Sequence, residues 1–303
     1  MKTIKGHAVG KLPPKKEMVK SPGIGGFLHA NMSESQDGRV FNADHPMIHA
    51  SDTTKHEFCP REWYLRYKYD QQSPPFHIHT SMKWTFDFGW WGQDYISKYL
   101  HEQLWGSFSK DNMKAHCSFG TDYPAEKGWV YEEPRFVHPS LPLSGGVDIV
   151  LKGNSQPYPN IDGRLLVEVK TIKADTFKTL KVPLQEHVQR TNLYLDLVRH
   201  WAAAKDNLDE WHLEHAVIIY ACKGFGNKSN PSRANGETFS PFKEFVIKYD
   251  PSLTQAIWDG LREVQDTVVA GSTSVPPKRI CGSKAQARAQ ACCVNGVCFK
   301  QSL

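Results

Sequence analysis

From Arg164 to Thr171 the chain reads Arg-Leu-Leu-Val-Glu-Val-Lys-Thr, a run of apolar and β-branched residues broken by two charges at a two-residue step. Residues two apart on a strand share a face. Glu168 and Lys170 therefore point the same way, and Val167 and Val169 point the other way into a core. A second strand-like run spans Leu143 to Leu151 and holds Gly145-Gly146-Val147-Asp148. The Pro-, Gly- and Asn-rich segment 152–163 can fold that run back beside the first. The pattern thus predicts two carboxylates and a lysine converging above a sheet edge. Further strands are predicted over Trp129–Val137, with Glu132 and Glu133 inside it, over Leu213–Cys222 and over Phe242–Tyr249.

Helical spacing takes over elsewhere. Ser51-Asp52-Thr53-Thr54 signals a helix start ahead of Trp63, Tyr64 and Tyr67, which form an aromatic stripe. A second helix is predicted from Trp84 to about Leu104, with Phe88, Trp91, Tyr95, Ile96, Tyr99 and Leu100 on its apolar side. Gly89 and Gly92 disfavour that helix unless something packs closely against them, and Gln93 sits beside them. A third helix runs from about Pro183 to Ala204, with proline in its first turn, and Asp250-Pro251 opens a fourth that reaches Ala270. Segments 21–50, 71–82, 105–128 and 223–238 read as irregular. This order of elements predicts an α/β core, a mixed sheet flanked by helices. The domains follow as a basic arm over 1–50, the core over 51–270 and a cysteine-bearing tail over 271–303.

Charge separates the ends from the body. The net charge is +5; residues 1–20 carry +5, residues 271–303 carry +5, and the remainder is therefore −5. Basic ends around a mildly acidic body fit a protein that holds polyanions in local patches and keeps carboxylates for metal. By charge alone, simply solvated tails are the favoured reading of the ends. No apolar run approaches the roughly 18–20 residues of a membrane span, and residues 1–20 lack the apolar segment of a secretory signal. The expectation is a cytoplasmic protein with no membrane contact.

The acids then acquire a chemistry. Mg²⁺ and Mn²⁺ prefer oxygen ligands and take one or two carboxylates. Asp148 and Glu168 supply those, the backbone carbonyl of Val169 can add another oxygen, and Lys170 can orient a water and offset charge on a phosphate. Glu-x-Lys by itself reads first as an exposed strand face with a cross-paired Glu and Lys, and Gly145-Gly146-Val147-Asp148 one strand earlier brings the metal-site reading level with it. Of seven cysteines, Cys281, Cys292, Cys293 and Cys298 crowd the tail. An odd number without a signal peptide argues against a disulfide framework. The tail lacks the Cys-x₂-Cys spacing common in zinc sites, whereas three tail cysteines with distant Cys59 can ligate an iron–sulfur cluster. Cys117 and Cys222 read as bystanders.

Taken together, Cys59-Pro60-Arg61, Gly89-x₃-Gln93, Gly146-Val147-Asp148, Glu168-Val169-Lys170 and Cys281…Cys292…Cys298 resemble the RecB-like branch of the PD-(D/E)XK nucleases. The likeness is to the iron–sulfur subgroup, which includes CRISPR-adaptation nucleases, the AddB-type nuclease domain and phage exonucleases. It runs from about Ser51 to Phe299. It implies that Asp148 and Glu168 bind metal, that Lys170 is catalytic, and that Cys59, Cys281, Cys292 and Cys298 hold a 4Fe-4S cluster, with Cys293 in the place of the family's proline. Gln93 stands where the family carries a metal-binding histidine, so an amide oxygen would have to serve. Gln189 lies one residue further from Tyr194 than the family spacing, and Arg190 occupies the expected place. The resemblance implies a Mg²⁺- or Mn²⁺-dependent DNA exonuclease acting on single strands or DNA ends, in recombination, repair or phage DNA processing. A structure-specific endonuclease and a non-cutting DNA-binding scaffold are the alternatives. Lys173 and Lys178 would follow phosphates, and Trp84, Trp90 and Trp91 would stack bases.

Overall fold

A computed structural model describes residues 34–36, 48–54, 57–68, 76–78, 80–109, 130–223, 240–269 and 275–300. The predicted strand is its centre. β9 (Arg164–Lys173) pairs in parallel with β10 (Trp211–Lys223) and antiparallel with β8 (Ile149–Leu151), and β11 (Phe242–Lys248) closes the far edge. The order is β11-β10-β9-β8, a mixed sheet. Parallel neighbours need a crossover, and the chain supplies one in α5 (Gln185–Ala203), which follows a short α4 (Ala174–Thr179).

The two faces of β9 enter different cores. Leu166 packs on the side of α5 with Leu193, Ile218 and Tyr220. Leu165, Val167 and Val169 pack with Ile149, Val217 and Ile96, the last from α3 (Thr80–Tyr99). Period-two alternation fixes which residues go where, so Glu168 and Lys170 fall on the α5 side. Helix α5 is buried on almost all sides, including Thr191, Asn192 and Asp196.

The run 143–151 is not one strand. β7 (Leu143–Gly146) pairs antiparallel with β6 (Arg135–Val137) and in parallel with β2 (Ile48–His49), forming a separate three-stranded sheet. The chain then crosses at Val147-Asp148 into β8 of the main sheet. Likewise β5 (Val130–Tyr131) pairs with β4 (Phe108–Ser109), so Glu132 and Glu133 link two sheets instead of lying within one strand. β1 (Glu34–Gln36) and β3 (Phe76–Ile78) form a two-stranded ribbon inside segments read as irregular. The arm predicted over 1–50 gives its last residues to the core, because Ile48 and Ala50 are fully buried.

Several helix boundaries shift. Ser51–Thr54 lie inside a one-turn helix, α1 (Ala50–Thr54), and the aromatic stripe belongs to α2 (Pro60–Lys68). Pro183 stands two residues ahead of α5. Asp250 caps a 3₁₀ turn by accepting the Ser252 N–H at 2.9 Å, and α6 (Gln255–Val264) begins after that turn. Helix α3 is rotated relative to its predicted apolar side. Gly89 and Gly92 face β9, where a Cβ on Gly92 would stand 3.0 Å from Thr171 Cγ2. The close approach explains the glycines and turns Trp91, Tyr95 and Tyr99 outward, with successive ring centroids 5.3 and 4.8 Å apart.

The tail packs on α2. Fully buried Arg61 donates to the Pro277 carbonyl at 3.0 Å, and Arg288 donates to the Glu57 carbonyl and to Glu62. Its two short helices, α7 (Ala287–Ala291) and α8 (Asn295–Cys298), set Val294 and Cys298 against Tyr64 and Leu65. Among the described residues no helix is long and apolar enough to cross a membrane.

Candidate active site

Asp148 occupies the crossing between the two sheets, and that position explains its hydrogen bond. β8 pairs with β9 only as far as Val167. Beyond it the β9 edge exposes a backbone donor, and the Val169 N–H is taken by Asp148 Oδ2 at 2.7 Å. Lys170 Nζ forms an ion pair with Glu168 and lies 3.5 Å from Asp148 Oδ2. The predicted convergence of two acids and a lysine is thus present. The pocket above them is also lined by His49, Glu133, Gly146, Arg190 and Tyr194.

Its electrostatics are set by burial. Glu168 is 2% exposed; desolvation and the neighbouring Asp148 push its carboxyl well up, against the pull of Lys170. For Lys170, burial opposes the ammonium form, but Asp148 and Glu168 outweigh it and hold the proton more tightly than usual. Glu168 Oε2 is buried and has no hydrogen-bond partner among the described residues. A buried orphan carboxylate oxygen costs free energy and calls for an explanation. Among the described residues, no three His, Cys, Asp or Glu side chains are gathered as a metal site. The donor set fits a hard divalent cation nonetheless: two carboxylates, one with an unused oxygen, on a lysine-bearing strand.

Two glycines make room for the pocket's walls. A Cβ on Gly145 would lie 2.8 Å from Tyr194 Cε1, and one on Gly146 would lie 3.1 Å from Glu133 Oε2. Tyr194 and Arg190 therefore reach the acids from α5, and Arg190 is steadied by Thr54 Oγ1 at 3.0 Å. Gln189 does not reach them. Its amide donates to the Leu253 carbonyl at 2.9 Å, because the helical turn aims it at the 3₁₀ segment before α6. Lys173 ends β9 on the opposite face from Lys170, and Lys178 sits in α4; neither lines the pocket. Gln93 is at the pocket, but its Nε2 lies 2.9 Å from Glu133 Oε1 and 3.4 Å from the Asp148 carbonyl. Two acceptors face the nitrogen, so the amide acts here as a donor. Trp90 and Trp91 are exposed, and the Trp84 side chain lies outside the described residues, as does Cys117.

Glu133, Arg135 and His49 are charged or titratable pocket residues to which sequence reasoning gave no role. Glu133 had a signal, an acid in a segment adjoining the strand that pairs with Gly145-Gly146. His49 had none, since it stands in a stretch without periodicity.

A second cluster lies at the head of α2. Cys59, Cys281, Cys292 and Cys298 line one small pocket with Glu62 and Arg288, and none of the four is in a disulfide. Cys293 packs beside the pocket without lining it, and Cys222 ends β10 far along the chain. Burial, helped by Glu62, pushes the Cys292 thiol up to about 12, while burial also raises Cys59 against the pull of Arg288. The four sulfur donors are of the type that ligates an iron–sulfur cluster, but among the described residues they are not drawn together as a closed metal site.

No family model matches the chain, and no curated protein matches it. Among solved structures, the crystal structure of SSO0001 aligns over 85% of this chain and 88% of its own, at 14% identity and a TM-score of 0.35. An alkaline exonuclease from Laribacter hongkongensis aligns over 76% and 92%, at 12% identity and a TM-score of 0.34. Scores this low mark a loose likeness and assign neither activity nor family.

Proposed function

We propose that this chain is a divalent-metal-dependent DNA nuclease with a PD-(D/E)XK core, cutting single strands or DNA ends as an exonuclease. The observation that carries the reading is the buried, unpartnered Oε2 of Glu168 beside Asp148 and a lysine held as its ammonium. Bound Mg²⁺ or Mn²⁺, held by Asp148, Glu168 and the Val169 carbonyl, would supply a more acidic water and offset charge on the phosphate.

The chain's own groups do the rest. Lys170 Nζ orients the attacking water and meets the charge that builds on the phosphate oxygens. Arg190 adds a second cation at the same pocket and can grip a neighbouring phosphate with its planar fork. Tyr194 closes the wall beside Gly145 and limits water around the reacting atoms. Cys59, Cys281, Cys292 and Cys298 would hold a 4Fe-4S cluster that ties the tail to α2, remote in chemistry from the cut. Lys173, Lys178, Trp90 and Trp91 are candidates for contact with DNA beyond the pocket.

Linear and circular DNA, single- and double-stranded, compared with Mg²⁺, Mn²⁺ and EDTA, test the proposal. Metal-dependent loss of linear single strands with circles spared is expected. Cut circles would replace the exonuclease by an endonuclease, and binding without cutting by a scaffold. Anaerobically purified protein should be brown and contain iron; stoichiometric zinc without iron would remove the cluster.

A further inference from the structure

The pocket contains a third carboxylate that the motif does not account for. Glu133 sits in the link between β5 and β6, and Gln93 Nε2 donates to its Oε1 at 2.9 Å. The same nitrogen lies 3.4 Å from the Asp148 carbonyl, so the amide is spent as a donor between the two acidic residues. The other oxygen of Glu133 lies over Gly146, where any Cβ would stand 3.1 Å away. A bare backbone thus leaves room for a carboxylate directed into the pocket. Independently, Glu168 Oε2 is buried there without a partner among the described residues.

The three carboxylates are not gathered on one point in this structure, where Lys170 holds two of them; we propose that a bound divalent cation draws Glu133 in as a third acidic ligand beside Asp148 and Glu168, and that Gln93 positions Glu133 instead of binding the cation. The inference rests on the metal-dependent reading above and adds the far wall of that site. Lys170 now holds Asp148 and Glu168, and a dication would compete with the ammonium for the same oxygens. Charge supports three acids: their three negative charges balance one lysine and one dication. Arg190 and Arg135, which also line the pocket, are then left to attract a phosphodiester.

Mn²⁺ titration of the full chain without DNA, by calorimetry or by the electron paramagnetic resonance of free Mn²⁺, tests this. Glu133→Ala and Glu133→Gln should each weaken binding by well over about tenfold, and Gln93→Ala, which removes only the group that orients Glu133, should weaken it by less. Melting temperatures taken in parallel separate lost ligands from lost fold, and Glu133→Gln preserves the shape if Glu133→Ala does not fold. Wild-type affinity in both Glu133 variants, with binding lost in Asp148→Asn, would overturn the assignment and leave the nuclease reading intact. A loss in Gln93→Ala equal to that in Glu133→Ala would overturn the positioning role. No Mn²⁺ binding by the wild type would overturn both readings together.

Discussion

Asp196 and Glu168 are both buried acids, 5% and 2% exposed, yet they are treated oppositely by their surroundings. Asp196, on α5, accepts from Tyr249 on one oxygen and from Thr254 Oγ1 at 2.6 Å and Trp258 Nε1 at 2.9 Å on the other. Its donors come from the end of β11, the 3₁₀ turn and α6, so the carboxylate ties that corner to the crossover helix. Glu168 has Lys170 on one oxygen and, among the described residues, no hydrogen-bond partner on the other. A saturated buried acid is a clamp, because each bond made offsets desolvation. An unsaturated one is held ready for a ligand at a cost to the fold.

This contrast can be broken or sharpened by experiment. The largest effect is expected from Glu168→Gln, which should slow DNA cleavage by about 10³-fold while the protein remains folded, measured with end-labelled DNA and circular dichroism. Asp196→Ala should do the reverse. It removes the acceptor of buried Trp258 Nε1 and of the partly buried Tyr249 hydroxyl, while Thr254 keeps the Pro251 carbonyl, and should destabilise by about 3 kcal/mol in a denaturant titration, leaving cleavage per folded molecule unchanged. Gly145→Ala lies between them: its Cβ meets Tyr194, so about 1–3 kcal/mol of overpacking should accompany slower cleavage.

The smallest effect concerns acid. His138 belongs to the saturated class, its Nδ1 accepting from the Ser140 and Leu141 N–H groups. Burial, then His200 and Arg262, lowers it from 6.5 to about 4. A base depressed in the fold favours the native state above 6.5 and loses that contribution as pH falls toward 4. The melting temperature should therefore drop between pH 7 and 5. His138→Asn, which keeps an acceptor for the turn, should flatten that slope.

What the sequence reveals of this contrast is uneven. Strand β9 and its fold-back to Asp148 are legible because period two and turn chemistry are local signals. The glycines of α3 announce a close approach, but not which side of the helix makes it. Spacing alone assigns Trp91, Tyr95 and Tyr99 to the core, and only Thr171 against Gly92 shows that they face out. The break at Val147-Asp148 depends on which strands pair, and the local stretch Gly145-Gly146-Val147-Asp148 does not by itself announce it. Glu133, His49 and the saturation of Asp196 depend on contacts between distant segments, so no window of sequence contains them.

Of the pocket residues, Lys170 is the one on which cleavage depends most directly. Wild-type protein and Lys170→Ala should be given end-labelled single-stranded DNA with Mn²⁺, with an EDTA control and a melting curve for each. The expected result is metal-dependent shortening by the wild type and cleavage at least about 10²-fold slower in the folded variant. Equal rates in the two proteins, or intact DNA bound to the wild type with either Mg²⁺ or Mn²⁺, would contradict it.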